Sequence, residues 1–338
     1  VLIGRSWHHE RFTPEEKGSL MSQSLAAAIE PQPAQLANPV KRYFLATRPP
    51  FLLASLVPVL FALALAHADG VAVNGLSALL TVIGAVLVHA AANVLNDYYD
   101  AQNGTDELND ERLFPFTGGS RFIQNGVLSR AQTLRFGLLL LGAGMLIGVL
   151  LLARSGSGLF FIGLAGVVIA WAYSAPPLAL NSRGLGELCI AIAFGLLIVV
   201  GTDYVQRGDF ALLPWLAAVP YGLLTSSLLY INQFPDRRAD AQAGKHHLVV
   251  RLGPQRARWG YPLMVVMAYG CLLALVLGGL LTPWVLLALL AAPPALLAAA
   301  LLLRHAAEPA RLLPAIRLTI LTVLGHGLLA ALGLLLGS

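Results

Sequence analysis

"NVLNDYYDAQNGTD", Asn93–Asp106, follows the apolar run Leu76–Ala92, and "NQFPDRRADAQAGK", Asn232–Lys245, follows the apolar run Leu212–Leu229. Each is a membrane-length greasy stretch that ends in an asparagine and a set of spaced aspartates. They share a short string, Asp100-Ala-Gln-Asn-Gly104 and Asp240-Ala-Gln-Ala-Gly244, offset by 140 residues. On a helix, residues three and four apart share a face. That spacing puts Asn93, Asn96, Asp97 and Asp100 on one stripe, with His89 one turn earlier, and Asn232, Asp236 and Asp240 on another. Asp106 lies beyond Gly104, where the helix is expected to stop.

The composition says what surrounds these motifs. Of the 338 residues, 57% are hydrophobic and 12% charged, against about 25% charged in a soluble domain. A water-facing surface needs charge and a lipid-facing one forbids it, so the chain reads as an all-α membrane protein. Crossing the hydrocarbon core takes about 20 largely apolar residues. Nine stretches qualify, roughly 51–68, 75–96, 134–153, 157–173, 186–205, 210–232, 260–280, 283–303 and 313–337. They predict a nine-helix bundle around a central cavity, capped by connections on one side.

Residues 1–40 differ in kind. They are polar and proline-bearing, with no apolar period, and read as a loosely held tail ahead of a single domain over 41–338. The tail has no basic start followed by an apolar core, so it predicts no signal peptide. Met21 is the first methionine, which makes residues 1–20 candidates for sequence upstream of the native start. His8 and His9 belong to this tail rather than to a metal site, and Cys189 and Cys271 lie inside apolar runs, as small buried hydrophobes do.

The basic residues orient the bundle. With a cytoplasmic N-terminus, all but Arg154 and Arg207 of the 22 lysines and arginines fall on inner connections or their edges, as the positive-inside rule requires. This sorting explains the net charge of +5 without nucleic acid. It predicts a multi-pass protein of a bacterial-type inner membrane, with its N-terminus and both aspartate motifs at the cytoplasmic face.

Carboxylates gathered at one rim repel unless cations sit among them. Hard oxygen ligands suit Mg²⁺, which shares its shell with substrate phosphates. Lys245 and Arg251 follow the second motif, Arg121 follows "TGGS" (Thr117–Ser120), and Arg48 opens the first span; all suit a polyanion. A third inner connection, "YSAPPLALNSRGLGE" (Tyr173–Glu187), brings Tyr173, Asn181, Arg183 and Glu187 to the same mouth. A cation-coupled transporter also uses intramembrane carboxylates, but at the bilayer midplane. A membrane phosphatase needs a nucleophile or positioned water that no residue here supplies.

"NDYYDAQNGTD" and "DRRADAQAGK" resemble the first and second aspartate motifs of the UbiA superfamily of intramembrane prenyltransferases, and the resemblance covers residues 41–338. It implies Mg²⁺ at Asp97, Asp100, Asp236 and Asp240, which carry the reaction. It implies a polyprenyl diphosphate and an aromatic acceptor bound by Asn93, Asn96, Asp106, Arg121, Tyr173, Arg183, Asn232 and Lys245. Within the superfamily, the Asp100–Asp106 gap with Gly104 and Thr105, "YSAPPLALNSRGLGE", "GTDYVQRG" (Gly201–Gly208) and "GKHHLVVRLG" (Gly244–Gly253) are similar to 1,4-dihydroxy-2-naphthoate polyprenyltransferases of menaquinone synthesis. "NQFPD" departs from that branch, which tends to a second Asn and an Arg-Asp pair. The Tyr-x-x-x-Lys pattern of 4-hydroxybenzoate enzymes is broken by Pro177. Other acceptors, 4-hydroxybenzoate and homogentisate among them, stay open.

Overall fold

A computed structural model describes residues 30–338, and within them it is helical with no strand. His8, His9 and the rest of residues 1–29 lie outside the described residues. Eight helices are long and apolar enough to cross a membrane: α1 (Pro49–Ala68), α2 (Gly75–Asn103), α3 (Arg130–Ser155), α5 (Gly186–Arg207), α6 (Leu212–Gln242), α7 (Pro254–Leu277), α8 (Pro283–His305) and α9 (Leu313–Gly337). The ninth expected segment is the shorter apolar helix α4 (Leu159–Ala172), of 14 residues.

α2 and α6 run past their apolar windows at the motif ends, as the helical spacing of the aspartates and the stop at Gly104 predict. Their apolar parts end near residues 96 and 232, but the helices continue to Asn103 and Gln242, α6 straight through Pro235. At 1.5 Å per residue these helices of 29 and 31 residues are roughly 44 and 46 Å long, against a hydrocarbon core of about 30 Å. The aspartates therefore ride on helical turns beyond the apolar windows. Gly104, at φ 82°, ends α2 in the left-handed conformation glycine tolerates.

Without a hydrophobic drive between helices in lipid, small residues set how closely they pack. A Cβ on Gly137 or Gly144 of α3 would stand 2.8 Å from Leu95 or Val88 of α2. α5 and α6 approach closely where Gly195, in the π-helical stretch Ala191–Leu197, meets Gly222; a Cβ there would lie 2.6 Å from the Gly222 Cα. The largest buried cluster joins α1, α6, α7, α8 and α9 around Tyr221, Tyr261, Leu302 and Ile316. The cavity lies to one side of it, bounded by α1 to α6.

The rims differ. At one, Arg207 of α5 pairs with Asp203 at 2.8 Å and with Asp69 of the α1–α2 connection at 2.7 Å. Tyr204 accepts from the Gly158 N–H of the α3–α4 connection at 3.0 Å. At the other rim, the connections after α2, α4 and α6 fold over the ends of the motif helices. The tail expected to run loose to residue 40 is docked over its described part. Glu30 and Leu36 are buried, and an amphipathic helix, Pro39–Ala46, capped by Asn38, leads into α1.

Candidate active site

Both aspartate motifs meet at the polar mouth of one cavity of 580 Å³. Asn93, Asn96, Asp100, Asp106, Asn232, Asp236, Asp240, Lys245 and Tyr173 all line it. Beyond them the lining turns apolar, along Phe51, Val88, Phe194, Leu197, Phe160, Leu164 and Val167. A polar pair stands in that apolar part, His89 Nδ1 hydrogen-bonded to Ser55 Oγ at 2.8 Å.

Lys245 joins the motifs. Its Nζ lies 2.8 Å from Asp100 Oδ1 and 3.2 Å from Asp240 Oδ1. Burial works against its charge, but Asp100 and Asp240 outweigh that and hold the ammonium well above the ordinary lysine range. His247 Nε2 reaches Asp240 Oδ2 at 3.1 Å, and Arg48, at the mouth end of α1, pairs with Asp97. Asn96 donates to Asp100 at 3.1 Å and to Ser174 Oγ at 3.0 Å. Asn93 holds the carbonyl of Thr47 at 3.0 Å, tying α2 to the entry of α1.

The α2–α3 connection supplies donors to both motifs from one turn. Gly118 N–H donates to Asp236 Oδ2 at 3.3 Å and Ser120 N–H to Asp97 Oδ1 at 3.1 Å. Asn109 Nδ2 donates to Asp236 Oδ1 at 2.7 Å. The turn requires its glycines. Gly118 and Gly119 have φ of 76° and 74°; a Cβ on the first would stand 2.5 Å from Arg112 Cβ, and on the second 2.7 Å from an Asp106 carboxylate oxygen. The doubled glycine in "TGGS" was the legible signal for this turn. Nothing in the spacing marked Asn109 or His247 as partners of the second motif.

Three expected residues stand outside the cavity lining. Asp97 is buried beside the mouth, where it pairs with Arg48 and accepts from the Ser120 N–H. Arg121 is buried beside the site, but it donates to the Asp106 carbonyl and does not line the cavity. Arg183 is exposed outside the lining, its guanidinium on the Pro177 carbonyl at 2.6 Å. Tyr173 lines the mouth; burial first, then the Glu187 carboxylate, pushes its hydroxyl well above the usual tyrosine range.

Among the described residues no three acidic, imidazole or thiol groups converge on one point as a ready metal cage. The donor set nonetheless fits a hard divalent cation. Five carboxylates, from Asp97, Asp100, Asp106, Asp236 and Asp240, gather against the fixed cations Arg48 and Lys245. Burial, followed by Asp100 and Asp97, raises the Asp106 carboxyl well above the usual carboxylate range, a repulsion that further positive charge relieves. The Asn232 Oδ1 and Asn109 Oδ1 atoms are buried without a hydrogen-bond partner, and both residues line the mouth.

The sequence profile of the UbiA prenyltransferase family matches residues 55–321. The chain belongs to this family. It is similar to the 1,4-dihydroxy-2-naphthoate octaprenyltransferase of Haemophilus influenzae, at 32% identity over 271 residues, covering 78% of this chain and 85% of that one. To the enzyme of the same description from Mycobacterium tuberculosis it is 34% identical over 263 residues, covering 77% and 86%. Its fold is that of a UbiA homologue from Archaeoglobus fulgidus solved bound to DMAPP and Mg²⁺, with a TM-score of 0.56 at 16% identity, covering 86% of this chain and 99% of that one. This UbiA protein is thus an integral membrane prenyltransferase.

Proposed function

We propose that this prenyltransferase moves a polyprenyl group from a polyprenyl diphosphate onto 1,4-dihydroxy-2-naphthoate, with Mg²⁺ as cofactor, in menaquinone synthesis. The observation that carries the reading is the cavity's polarity: carboxylates of both motifs and Lys245 at one mouth, a long apolar interior behind it. A diphosphate needs the first and an isoprenoid chain the second.

Asp97, Asp100, Asp236 and Asp240 hold the cation, with the amide oxygen of Asn232 available to the same cluster. Bound Mg²⁺ supplies Lewis-acid neutralisation of the diphosphate charge. The protein's own groups do the rest. Lys245 and Arg48 stabilise the negative charge that grows as the C1–oxygen bond breaks and its electron pair leaves with diphosphate. The apolar walls keep water from the allylic cation that remains. A ring carbon of the acceptor then forms the new bond to C1, and the carboxyl group on that carbon departs as CO₂. Tyr173, its proton held firmly, serves as a hydrogen-bond donor at the mouth and not as a base. The isoprenoid tail leaves sideways into lipid, since exposing it to water costs about 0.8 kcal/mol per CH₂. We place this mouth at the cytoplasmic face of a bacterial-type inner membrane, a reading supported by the lopsided distribution of lysine and arginine.

The test is purified protein with Mg²⁺, a mixture of polyprenyl diphosphates and each of three acceptors, 1,4-dihydroxy-2-naphthoate, 4-hydroxybenzoate and homogentisate, read by mass spectrometry. A prenylated, decarboxylated naphthoate product is expected. Products from 4-hydroxybenzoate or homogentisate alone would overturn the acceptor and leave the reaction class standing.

A further inference from the structure

Glu30 lies upstream of the family match, which begins at residue 55, and is only 3% exposed. Its Oε1 accepts from Arg112 Nε at 2.7 Å; its Oε2 accepts from Asn125 Nδ2 at 3.1 Å and stands 3.8 Å from Arg121 Nε. All three partners belong to the α2–α3 connection. Asn125 also donates to the Pro31 carbonyl at 3.0 Å, and Leu36 packs beneath with Phe122 and Leu128. The segment ahead of the bundle is thus fastened to that connection by charge and by apolar contact.

The two arginines carry the fastening onward. Arg112 Nη1 donates to the Asn109 carbonyl, and the Asn109 side chain reaches Asp236 at 2.7 Å. Arg121 Nη1 donates to the Asp106 carbonyl. One carboxylate therefore reaches, through two guanidinium groups, the backbone of residues beside both motifs. Between the arms lies the turn whose Gly118 and Ser120 amides donate to Asp236 and Asp97. Exposed ion pairs contribute little, but here the carboxylate is buried and Arg112 is half-buried. Removing the Glu30 carboxylate leaves the half-buried Arg112 and the buried Arg121 on one loop without the acid between them, which pushes them apart.

We propose that Glu30 is a positioning residue for the prenyl transfer: a clasp from outside the family's core that fixes, through Arg112 and Arg121, the loop presenting donors to both aspartate motifs. The proposal rests on the reading of the mouth as a diphosphate site, and its test separates the two. Full-length protein and the variants Glu30→Ala, Arg112→Ala and the double variant are compared in nanodiscs. In metal-free protein, hydrogen exchange at the Gly118 and Ser120 amides is expected to quicken about tenfold in Glu30→Ala, the loss of one charge-assisted bond, with the amides of α8 and α9 unchanged. With Mg²⁺, acceptor and geranylgeranyl diphosphate, KM for the diphosphate rises about tenfold while kcat stays within about threefold. The double variant falls short of the sum of Glu30→Ala and Arg112→Ala, because the two share the Arg112 arm while Glu30 also holds Arg121. Wild-type exchange and KM in Glu30→Ala, or effects that add in the double variant, would overturn the clasp. Should Glu30→Ala fail to fold, Glu30→Gln keeps the shape, removes the charge and reads the same comparison. If the wild-type protein turns over no diphosphate, the proposed function fails, while the exchange result still decides on the clasp.

Discussion

Asp100 and Asp240, 140 residues apart in the chain, share one ammonium: Lys245 Nζ stands 2.8 Å from the first and 3.2 Å from the second. The repeated string thus ends in a physical meeting of its two copies, and the protein supplies its own counter-ion between them. Removing that ion by Lys245→Met leaves two buried carboxylates facing each other, at a cost of about 3 kcal/mol. Thermal melting of metal-free protein in detergent checks this. The variant is expected to melt well below wild type and to regain most of the difference when Mg²⁺ is added, whereas a neutral effect would mean the lysine is not a structural counter-charge.

Asp97→Ala and Asp236→Ala are each expected to lower turnover by at least about a hundredfold, the scale of losing one preorganised electrostatic contact at a reacting centre. Size-exclusion profiles should stay those of the wild type, since Asp236 lines the cavity mouth and Asp97 sits beside it against Arg48 and the Ser120 amide, away from the helix-packing core. Chelation with EDTA should stop the wild-type reaction and excess Mg²⁺ or Mn²⁺ restore it; full turnover in EDTA contradicts the metal assignment.

Single cysteines at Gln102, Arg207, Gln242 and Ser338, in a background lacking Cys189 and Cys271, test the topology. Membrane-impermeant maleimide on inverted vesicles should label positions 102 and 242, and on intact cells positions 207 and 338. Label reaching 102 and 242 from opposite sides is incompatible with their motifs meeting at one mouth.

Gly195→Val probes the approach of α5 to α6. Its added carbons meet the Gly222 backbone, where the first alone would stand 2.6 Å from Cα, and such overpacking costs about 1–3 kcal/mol. The same change at Gly270, whose Cβ would have open space, should leave melting unaltered. Equal melting of the two variants would remove the argument for a small-residue contact there.

The helices were legible in the sequence because an apolar run must cover the hydrocarbon core: eight of the nine expected segments are helices long and apolar enough to do so, and the ninth is the shorter α4. The continuation of α2 and α6 past those runs was legible only in the helical spacing of the aspartates. An apolar window ends where charge begins, but the helix does not, since its backbone bonds continue to Asn103 and Gln242 regardless of what the side chains face. In the site, Asp97, Asp100, Asp236, Asp240 and Lys245 were legible from spacing and from the offset repeat. Asn109, His247 and Glu30 were not, because their partners are set by how loops fold over the rim and no period carries that. Arg183 shows the converse. A cation in the right connection looked well placed for an acceptor carboxylate, yet the turn that follows the Pro176–Pro177 pair directs it to a backbone carbonyl outside the cavity.

The length of α2 and α6 also bears on how a donor finds the enzyme. Helices of about 44 and 46 Å carry their last turns past the acyl chains to the depth of the lipid headgroups. A molecule with an isoprenoid anchor and a diphosphate head floats with its head at that same level. Its search for the mouth is then lateral, within one leaflet, with height and orientation already settled before contact. The encounter rate should follow the surface density of donor in the bilayer, not its bulk concentration, and dilution with inert lipid should slow turnover at constant total donor.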